Sequence, residues 1–132
     1  MTKVLIAEDN AVNRELLREL LEVRGYTVVE ACDGEEALRV IEQTQPDILL
    51  LDIGMPVLDG FGVVRALRQN PRLATLPVLA VTAYAMQGDR ERILSAGFDG
   101  YLSKPVNARS LTDELERLST KRDKKARAAA GK

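Results

Sequence analysis

The 132-residue sequence contains no histidine, no tryptophan and a single cysteine, Cys32. Without histidine the chain supplies neither a histidine general base nor an imidazole metal ligand, and it cannot carry a phosphohistidine. A single cysteine excludes an internal disulfide and a zinc site built from several thiolates, and it fits a reducing compartment such as the cytosol. We interpret Cys32 as a small residue packed at the end of a strand.

Long hydrophobic runs are also missing. No run approaches the ~20 apolar residues that a membrane span requires. Residues 1–3 lead directly into a strand-like run rather than into a signal peptide. We therefore expect a cytoplasmic protein that has no membrane partner.

The charge is nearly balanced but unevenly distributed, with 19 basic and 20 acidic residues. Residues 121–132 carry six basic residues and one acidic residue, a charge of +5, which leaves −6 on residues 1–120. An acidic body argues against a nucleic-acid partner. Because residues 121–132 also lack an apolar stripe, we predict one domain over 1–120 and a basic, disordered tail or frayed helix end.

Short apolar runs alternate with amphipathic, helix-like stretches along the chain. The runs cover residues 4–7, 27–30, 48–51, 78–81 and 101–102. Three of them are almost continuously apolar, which is typical of strands covered on both faces. A strand followed by a helix, repeated five times, predicts an α/β fold with a five-stranded parallel sheet. Right-handed crossovers leave few strand orders, and we expect the order 2-1-3-4-5 of a flavodoxin-like, three-layer (βα)5 sandwich.

Polar side chains follow four of the predicted strands, at the point where each strand ends. They are Glu8 and Asp9, Asp52, Thr82, and Lys104. The carboxyl ends of parallel strands meet at one edge of the sheet, so these groups should converge. Clustered carboxylates repel one another unless a cation intervenes, and oxygen ligands suit Mg²⁺. An aspartate beside Mg²⁺, a lysine and a hydroxyl is able to attack a phosphoryl group.

The order and spacing of these motifs over residues 3–119 resemble the receiver domain of two-component response regulators. The motifs are Glu8-Asp9-Asn10, Asp52-Ile53-Gly54-Met55-Pro56 with Asp59-Gly60, Thr82-Ala83, and Lys104-Pro105. Residues 81–89 are similar to single-domain regulators of bacterial cell polarity and the cell cycle. The segment 8–14 is also similar to receivers attached to hybrid histidine kinases.

The resemblance implies a phospho-acceptor site. Asp52 would accept a phosphoryl group from a partner's phosphohistidine. Glu8, Asp9 and Asp52 would hold Mg²⁺, aided by the backbone carbonyl of Gly54. Lys104 would pair first with the carboxylate and then with the phosphoryl oxygen, and the bond between Lys104 and the proline after it would be cis.

The resemblance also implies a conformational switch. Thr82 would bond the phosphoryl group as a third catalytic residue, Ala83 would leave room for that group to move, and Tyr101 would take the aromatic switch position. We expect the switch to remodel the surface of the fourth helix, fifth strand and fifth helix. The expected partner-binding residues are Arg90, Glu91, Leu94, Tyr101, Val106 and Leu111.

These implications describe a signalling module rather than an enzyme. The expected partners are a histidine kinase or a histidine phosphotransfer protein and a downstream target protein, and the chain itself should be a monomer or a weak dimer. A phosphorelay intermediate and an excised hybrid-kinase receiver remain alternatives. A Mg²⁺-dependent phosphatase with an aspartyl nucleophile is disfavoured, because that chemistry needs an acid two residues after the nucleophile, where this chain has Gly54.

The lifetime of the phosphorylated state depends on a water molecule aligned with the acyl phosphate bond. An amide or acid two residues after Asp52, or two residues after Thr82, would orient that water. This chain has Gly54 and Tyr84 at those positions. We therefore predict slow autodephosphorylation.

Overall fold

The computed structural model describes residues 2–83 and 89–130, with the side chains of 121–130 excepted. Five strands alternate with five helices, as the sequence pattern predicts. The elements are β1 (Lys3–Ala7), α1 (Ala11–Glu22), β2 (Thr27–Ala31), α2 (Gly34–Thr44), β3 (Ile48–Asp52), α3 (Gly60–Gln69), β4 (Val78–Thr82), α4 (Asp89–Ser95), β5 (Gly100–Ser103) and α5 (Ala108–Ala130).

The five strands form one parallel sheet in the order β2-β1-β3-β4-β5, which confirms the predicted topology. Every residue of β3 and of β4 is buried. Two apolar clusters cover the sheet, one between the sheet and α2, α3 and α4, the other between the sheet and α1 and α5. Strands covered on both faces explain why the central runs are continuously apolar rather than alternating.

Side-chain caps set the start of three helices. Asn10, Asp33 and Asp59 each accept a hydrogen bond from the backbone N–H three residues later, at 3.0, 2.8 and 2.9 Å. Such caps satisfy N–H groups that have no partner within the helix. Asn10 and Asp33 lie within three residues of the ends of β1 and β2, so these two caps also fix where the chain turns from strand to helix.

The structure corrects the interpretation of Cys32. This residue is exposed and lies in the turn between β2 and α2, rather than packed against the sheet. Its backbone N–H donates to the Glu36 carboxylate at 3.0 Å. Since β2 ends at Ala31, the inward alternation of the strand stops one residue before the cysteine.

The backbone of the C-terminal helix, α5, is helical through Ala130. For residues 121–132 the sequence predicted a frayed helix end or disorder, and that expectation stays a prediction. The buried stripe of α5 consists of Leu111, Leu115 and Leu118. The boundary at residue 120 stays a prediction. Among the described residues, none of the helices combines the length and apolarity needed to cross a membrane.

Candidate functional site

Three carboxylates meet at the carboxyl edge of the sheet. β1 and β3 are neighbours, with Ala7 paired to Leu51, so the residues that follow this pair lie side by side. Glu8 and Asp52 are 1% and 7% exposed, whereas Asp9 is exposed. Carboxylate oxygens of Glu8, Asp9 and Asp52 lie within 4.8 Å of one another. The predicted convergence of these three acids is therefore present.

Lys104 connects the two buried acids. Its Nζ lies 2.9 Å from Glu8 Oε1 and 3.1 Å from Asp52 Oδ2. The other Asp52 oxygen, Oδ1, accepts the Gly54 N–H at 3.0 Å. The Lys104 backbone N–H donates to the Thr82 carbonyl at 2.8 Å, and the bond from Lys104 to the following proline is cis, as the sequence predicted. Both Asp52 oxygens are thus held by donors.

The environment separates the pKa values of the two buried acids. Burial raises the pKa of the Glu8 carboxyl from its ordinary 4.5 to about 7, and its hydrogen bond with Asp52 adds to the increase. Burial alone would also raise the pKa of Asp52, but hydrogen bonds from Glu8, Gly54 and Lys104 together lower it. Burial acts to lower the pKa of Lys104, yet its bonds to both acids raise it. At neutral pH Asp52 is therefore an anion beside a cation.

The acidic cluster fits a divalent cation. Glu8 Oε2 is buried and has no hydrogen-bond partner among the described residues, which is costly for a carboxylate oxygen. Three carboxylates share one positive charge from Lys104, so the cluster carries excess negative charge when all three are ionised. Oxygen-only donors of this kind are the ligands that Mg²⁺ prefers. The residues present thus match a magnesium site.

The residues expected to form the switch lie on neighbouring strands. Thr82 ends β4 and is 2% exposed, and Ala83 follows it at the surface. Tyr101 on β5 pairs with Ala80, two residues before Thr82 in the ladder. Tyr101 is half-buried and packs against the core cluster beneath α4. Tyr84, which the sequence linked to slow hydrolysis, lies outside the described residues.

The expected partner surface is largely exposed, with one correction. Arg90, Glu91 and Leu94 lie on the outer side of α4, where Leu94 is 39% exposed. Val106 is half-buried beside α5. Leu111 was predicted to contact a partner, but it is only 1% exposed because it belongs to the stripe that packs α5 on the sheet. It is therefore part of the core.

Sequence reasoning did not identify the role of Arg14, whose side chain holds the backbone of the acidic cluster. Arg14 Nη1 donates to the backbone carbonyl of Glu8 at 2.8 Å, and its Nε lies 3.4 Å from Glu30 Oε1. Arg14 belongs to the opening motif, but a motif does not say which carbonyl a long side chain reaches. A signal was available in Glu30, the one charged residue of β2.

Asp52 lies between a lysine and two carboxylates that could hold a metal ion, at the carboxyl edge of a sheet of order 2-1-3-4-5. This arrangement is typical of a phospho-acceptor domain. Residues 4–116 match the family described as the response regulator receiver domain. The chain therefore belongs to this family, the receiver domains of two-component response regulators.

Individual relatives agree with this assignment. The polar-differentiation response regulator DivK of Brucella ovis is 44% identical over 108 residues, which cover 81% of this chain and 88% of the relative. A receiver domain of a sensor histidine kinase from Pseudomonas aeruginosa, solved with a magnesium ion in its active-site cleft, superposes with a TM-score of 0.82 at 38% identity, covering 89% of this chain and 96% of the other. A response regulator structure from Chloroflexus aurantiacus gives a TM-score of 0.85 at 33% identity, with coverages of 89% and 96%.

Proposed function

We propose that this receiver accepts a phosphoryl group on Asp52 from the phosphohistidine of a histidine kinase or a histidine phosphotransfer protein. The observation that carries the proposal is the environment of the Asp52 carboxylate, which is buried, has a lowered pKa and lies 3.1 Å from the Lys104 ammonium. An ionised carboxylate is the nucleophilic form. These 132 residues contain no histidine, so the donor imidazole lies outside them.

The transfer is balanced without a further reactant. An Asp52 oxygen forms a bond to phosphorus as the bond from phosphorus to the donor imidazole breaks, and the imidazole leaves with that electron pair. Charge accumulates on the phosphoryl oxygens during this step. Lys104, which pairs with the carboxylate in the resting structure, is placed to follow the negative charge onto a phosphoryl oxygen.

Glu8, Asp9 and Asp52, with the Gly54 carbonyl, would hold Mg²⁺. When bound there, Mg²⁺ would supply positive charge for the phosphoryl oxygens during in-line transfer. Glu8 and Asp52 are the buried side chains of this set and Asp9 is the exposed one, so water reaches the set from the Asp9 side. Exposure on that side also suits an ion that keeps part of its hydration shell.

Phosphorylation would act through protein binding. The Thr82 hydroxyl would bond the phosphoryl group, Ala83 would leave room for it, and Tyr101 would move as Thr82 shifts. The resulting change would alter a surface that includes Arg90, Glu91, Leu94, Tyr101 and Val106. A ligand shifts a conformational equilibrium only by its differential contacts, and the Thr82 bond supplies such a contact.

The decisive experiment compares Asp52→Asn with wild type for phosphate uptake from acetyl phosphate, with and without Mg²⁺. We expect wild type to be labelled only with Mg²⁺, and Asp52→Asn to be labelled at least about a hundredfold less, because the nucleophilic oxygen is lost. Asp113→Asn, an exposed aspartate on α5, is the matched control and should be labelled like wild type. Equal labelling of Asp52→Asn would refute the assignment.

A further inference from the structure

Two arginines on α1 share one acidic partner but differ in what else they touch. Arg14 Nε and Arg18 Nη1 each pair with the Glu30 carboxylate, on separate oxygens. Arg18 pairs in addition with Glu22 on its own helix at 3.4 Å. Arg14 instead donates through Nη1 to the backbone carbonyl of Glu8 at 2.8 Å. Arg14 is also the more buried of the two, with a side chain 18% exposed against 38% for Arg18.

With the bond from Arg14, both backbone groups of Glu8 are hydrogen-bonded. The Glu8 N–H donates to the Ala31 carbonyl at 3.1 Å, one residue beyond the last ladder pair of β1 and β2. The Glu8 carbonyl accepts from Arg14, and Arg14 is itself held by Glu30, the neighbour of Ala31. Both backbone groups of Glu8 are therefore tied to the end of β2, one directly and one through a side chain.

We propose that Arg14 is a positioning residue for the metal site. The peptide unit whose carbonyl it holds joins Glu8 to Asp9, two of the three carboxylates that face one another within 4.8 Å. When all three carboxylates are ionised they repel one another, and the single Lys104 cation offsets only part of their charge. A fixed peptide unit limits how far the carboxylates of Glu8 and Asp9 can move apart. The free-energy cost of rearranging them when Mg²⁺ binds is therefore smaller. Groups that orient metal ligands typically change affinity 10- to 100-fold when removed.

The charge of Arg14 and its positioning role predict opposite changes in Mg²⁺ affinity when the guanidinium is removed. A guanidinium near the cluster repels Mg²⁺, so removing its charge alone would tighten metal binding. Loss of positioning would weaken binding. Arg18 measures the charge effect by itself, since it lies on the same helix, pairs with the same Glu30 and makes no described contact with Glu8.

The test uses Arg14→Met and Arg18→Met, which keep an apolar stem and remove the N–H donors. Mg²⁺ affinity is measured by isothermal titration calorimetry, and thermal stability is measured without the metal. We expect the Mg²⁺ dissociation constant to rise about tenfold in Arg14→Met. In Arg18→Met it should stay within about twofold of wild type or fall, as the charge effect requires.

Equal or tighter Mg²⁺ binding by Arg14→Met would overturn the proposal, including the case where its melting temperature falls while the dissociation constant does not change. If Arg14→Met does not fold, Arg14→Lys decides the matter. It keeps the charge, but its single ammonium replaces a fork that contacts two groups. We expect about threefold weaker Mg²⁺ binding in Arg14→Lys, and an unchanged affinity would equally refute the proposal.

The inference rests on the proposed function only through the Mg²⁺ site, and the two fail separately. At saturating Mg²⁺, Arg18→Met should be labelled by acetyl phosphate to the same extent as wild type, because it leaves the Glu8 peptide unit, Asp52 and Lys104 intact. A wild type that binds Mg²⁺ but is not labelled would refute the phospho-acceptor role alone. A wild type that is labelled, beside an Arg14→Met variant with wild-type Mg²⁺ affinity, would refute the positioning role alone.

Discussion

Two regions of the receiver contrast in how their residues are held. The acceptor edge comprises Glu8, Asp9, Asp52 and Lys104 at the carboxyl ends of β1, β3 and β5. The switch face comprises α4, β5 and the beginning of α5. At the acceptor edge Glu8 and Asp52 are buried and share a lysine. On the switch face, the described part of α4 comprises the seven residues Asp89–Ser95, and Ile93 is the buried one among them. The difference fits the two tasks proposed above, since phosphoryl transfer needs fixed atoms and the proposed response needs a surface that changes.

The switch face is nevertheless anchored at one point. Arg68 on α3 uses all five N–H donors of its guanidinium: two to the Gly97 carbonyl just after α4, one each to the carbonyls of Ala74 and Leu76, and one to the Asp99 carboxylate. Gly97 adopts a φ of +113°, which favours glycine. The C-terminal end of α4 is therefore fixed to α3, and a change in α4 is expected to begin at its N-terminal end.

The largest expected effect follows from breaking that anchor. Arg68→Met should lower the free energy of unfolding by about 2–3 kcal/mol, or the melting temperature by roughly 10 °C, because several carbonyls and the Asp99 carboxylate lose a donor. Mg²⁺ affinity should not change, since Arg68 is remote from the acceptor edge. Arg65→Met, an exposed arginine on the same helix, is the control and should stay within about 0.5 kcal/mol of wild type. Equal stability of the two variants would show that the Arg68 hydrogen bonds do not stabilise the fold.

The second prediction separates output from chemistry. Leu94→Asp should weaken binding of the activated protein to a phosphorylation-dependent target about tenfold or more, because a charge replaces an apolar contact on α4. Labelling of Asp52 by acetyl phosphate should not change. Val23→Asp is the matched control, since Val23 is 82% exposed at the end of α1, outside the switch face. A pull-down in which Leu94→Asp binds as well as Val23→Asp would place the docking surface elsewhere.

The third prediction concerns the lifetime of the phosphoryl group. A Cβ at Gly54 would have Asp52 Oδ1 as its nearest neighbour at 3.9 Å, an ordinary contact, so a side chain fits beside the acceptor. Gly54→Asn should hydrolyse its phosphoryl group several-fold faster, up to about tenfold, because the amide would orient the attacking water. Gly54→Ala has no polar group and should decay like wild type. If Gly54→Asn decays no faster than Gly54→Ala, the predicted link between Gly54 and slow hydrolysis is wrong.

The smallest expected effect is a dependence of metal binding on pH. The Glu8 pKa is about 7 in the folded protein, raised chiefly by burial, against an ordinary 4.5. The folded state therefore binds this proton more tightly than the unfolded state, and stability without Mg²⁺ falls as pH rises through that interval. Because Mg²⁺ needs ionised ligands, the rise in melting temperature that it causes should be a few degrees larger at about pH 8 than at about pH 6.

The control for that measurement is Glu8→Gln, which cannot ionise and should show no such pH difference. Asp52 does not interfere, because its pKa is lowered from 3.8 and its contribution to stability is lost only as pH falls below that value. A pH difference that persists in Glu8→Gln would assign the titration to another group.

Much of the fold follows from local patterns in the sequence. The apolar runs predicted all five strands and their order, and Asp33 and Asp59 precede helices that they cap in the structure. The convergence of Glu8, Asp52 and Lys104 was predicted because parallel strands must end at one edge. These features depend on hydrogen-bond periodicity and on strand direction, and the chain encodes both over short distances.

The errors and omissions share a different cause. Leu111 carries an apolar side chain on an amphipathic helix, and only the packing of α5 on the sheet decides that it is buried. Exposure of Cys32 depends on β2 ending one residue earlier. The donors of Arg14 and Arg68 reach carbonyls 6 to 29 residues away in sequence. Carbonyls occur at every residue, so which one a long side chain reaches is decided by tertiary structure.

For this receiver the sequence by itself determined which side chains stand at the strand ends and therefore the chemistry of the acceptor edge. The tertiary structure decided how those side chains are held: the burial that separates the pKa values of Glu8 and Asp52, the Arg14 bond behind Glu8, and the anchor at Gly97. The physical reason is distance. Strand periodicity acts between neighbours in the chain, whereas desolvation and long side-chain hydrogen bonds depend on groups that only the folded protein brings together.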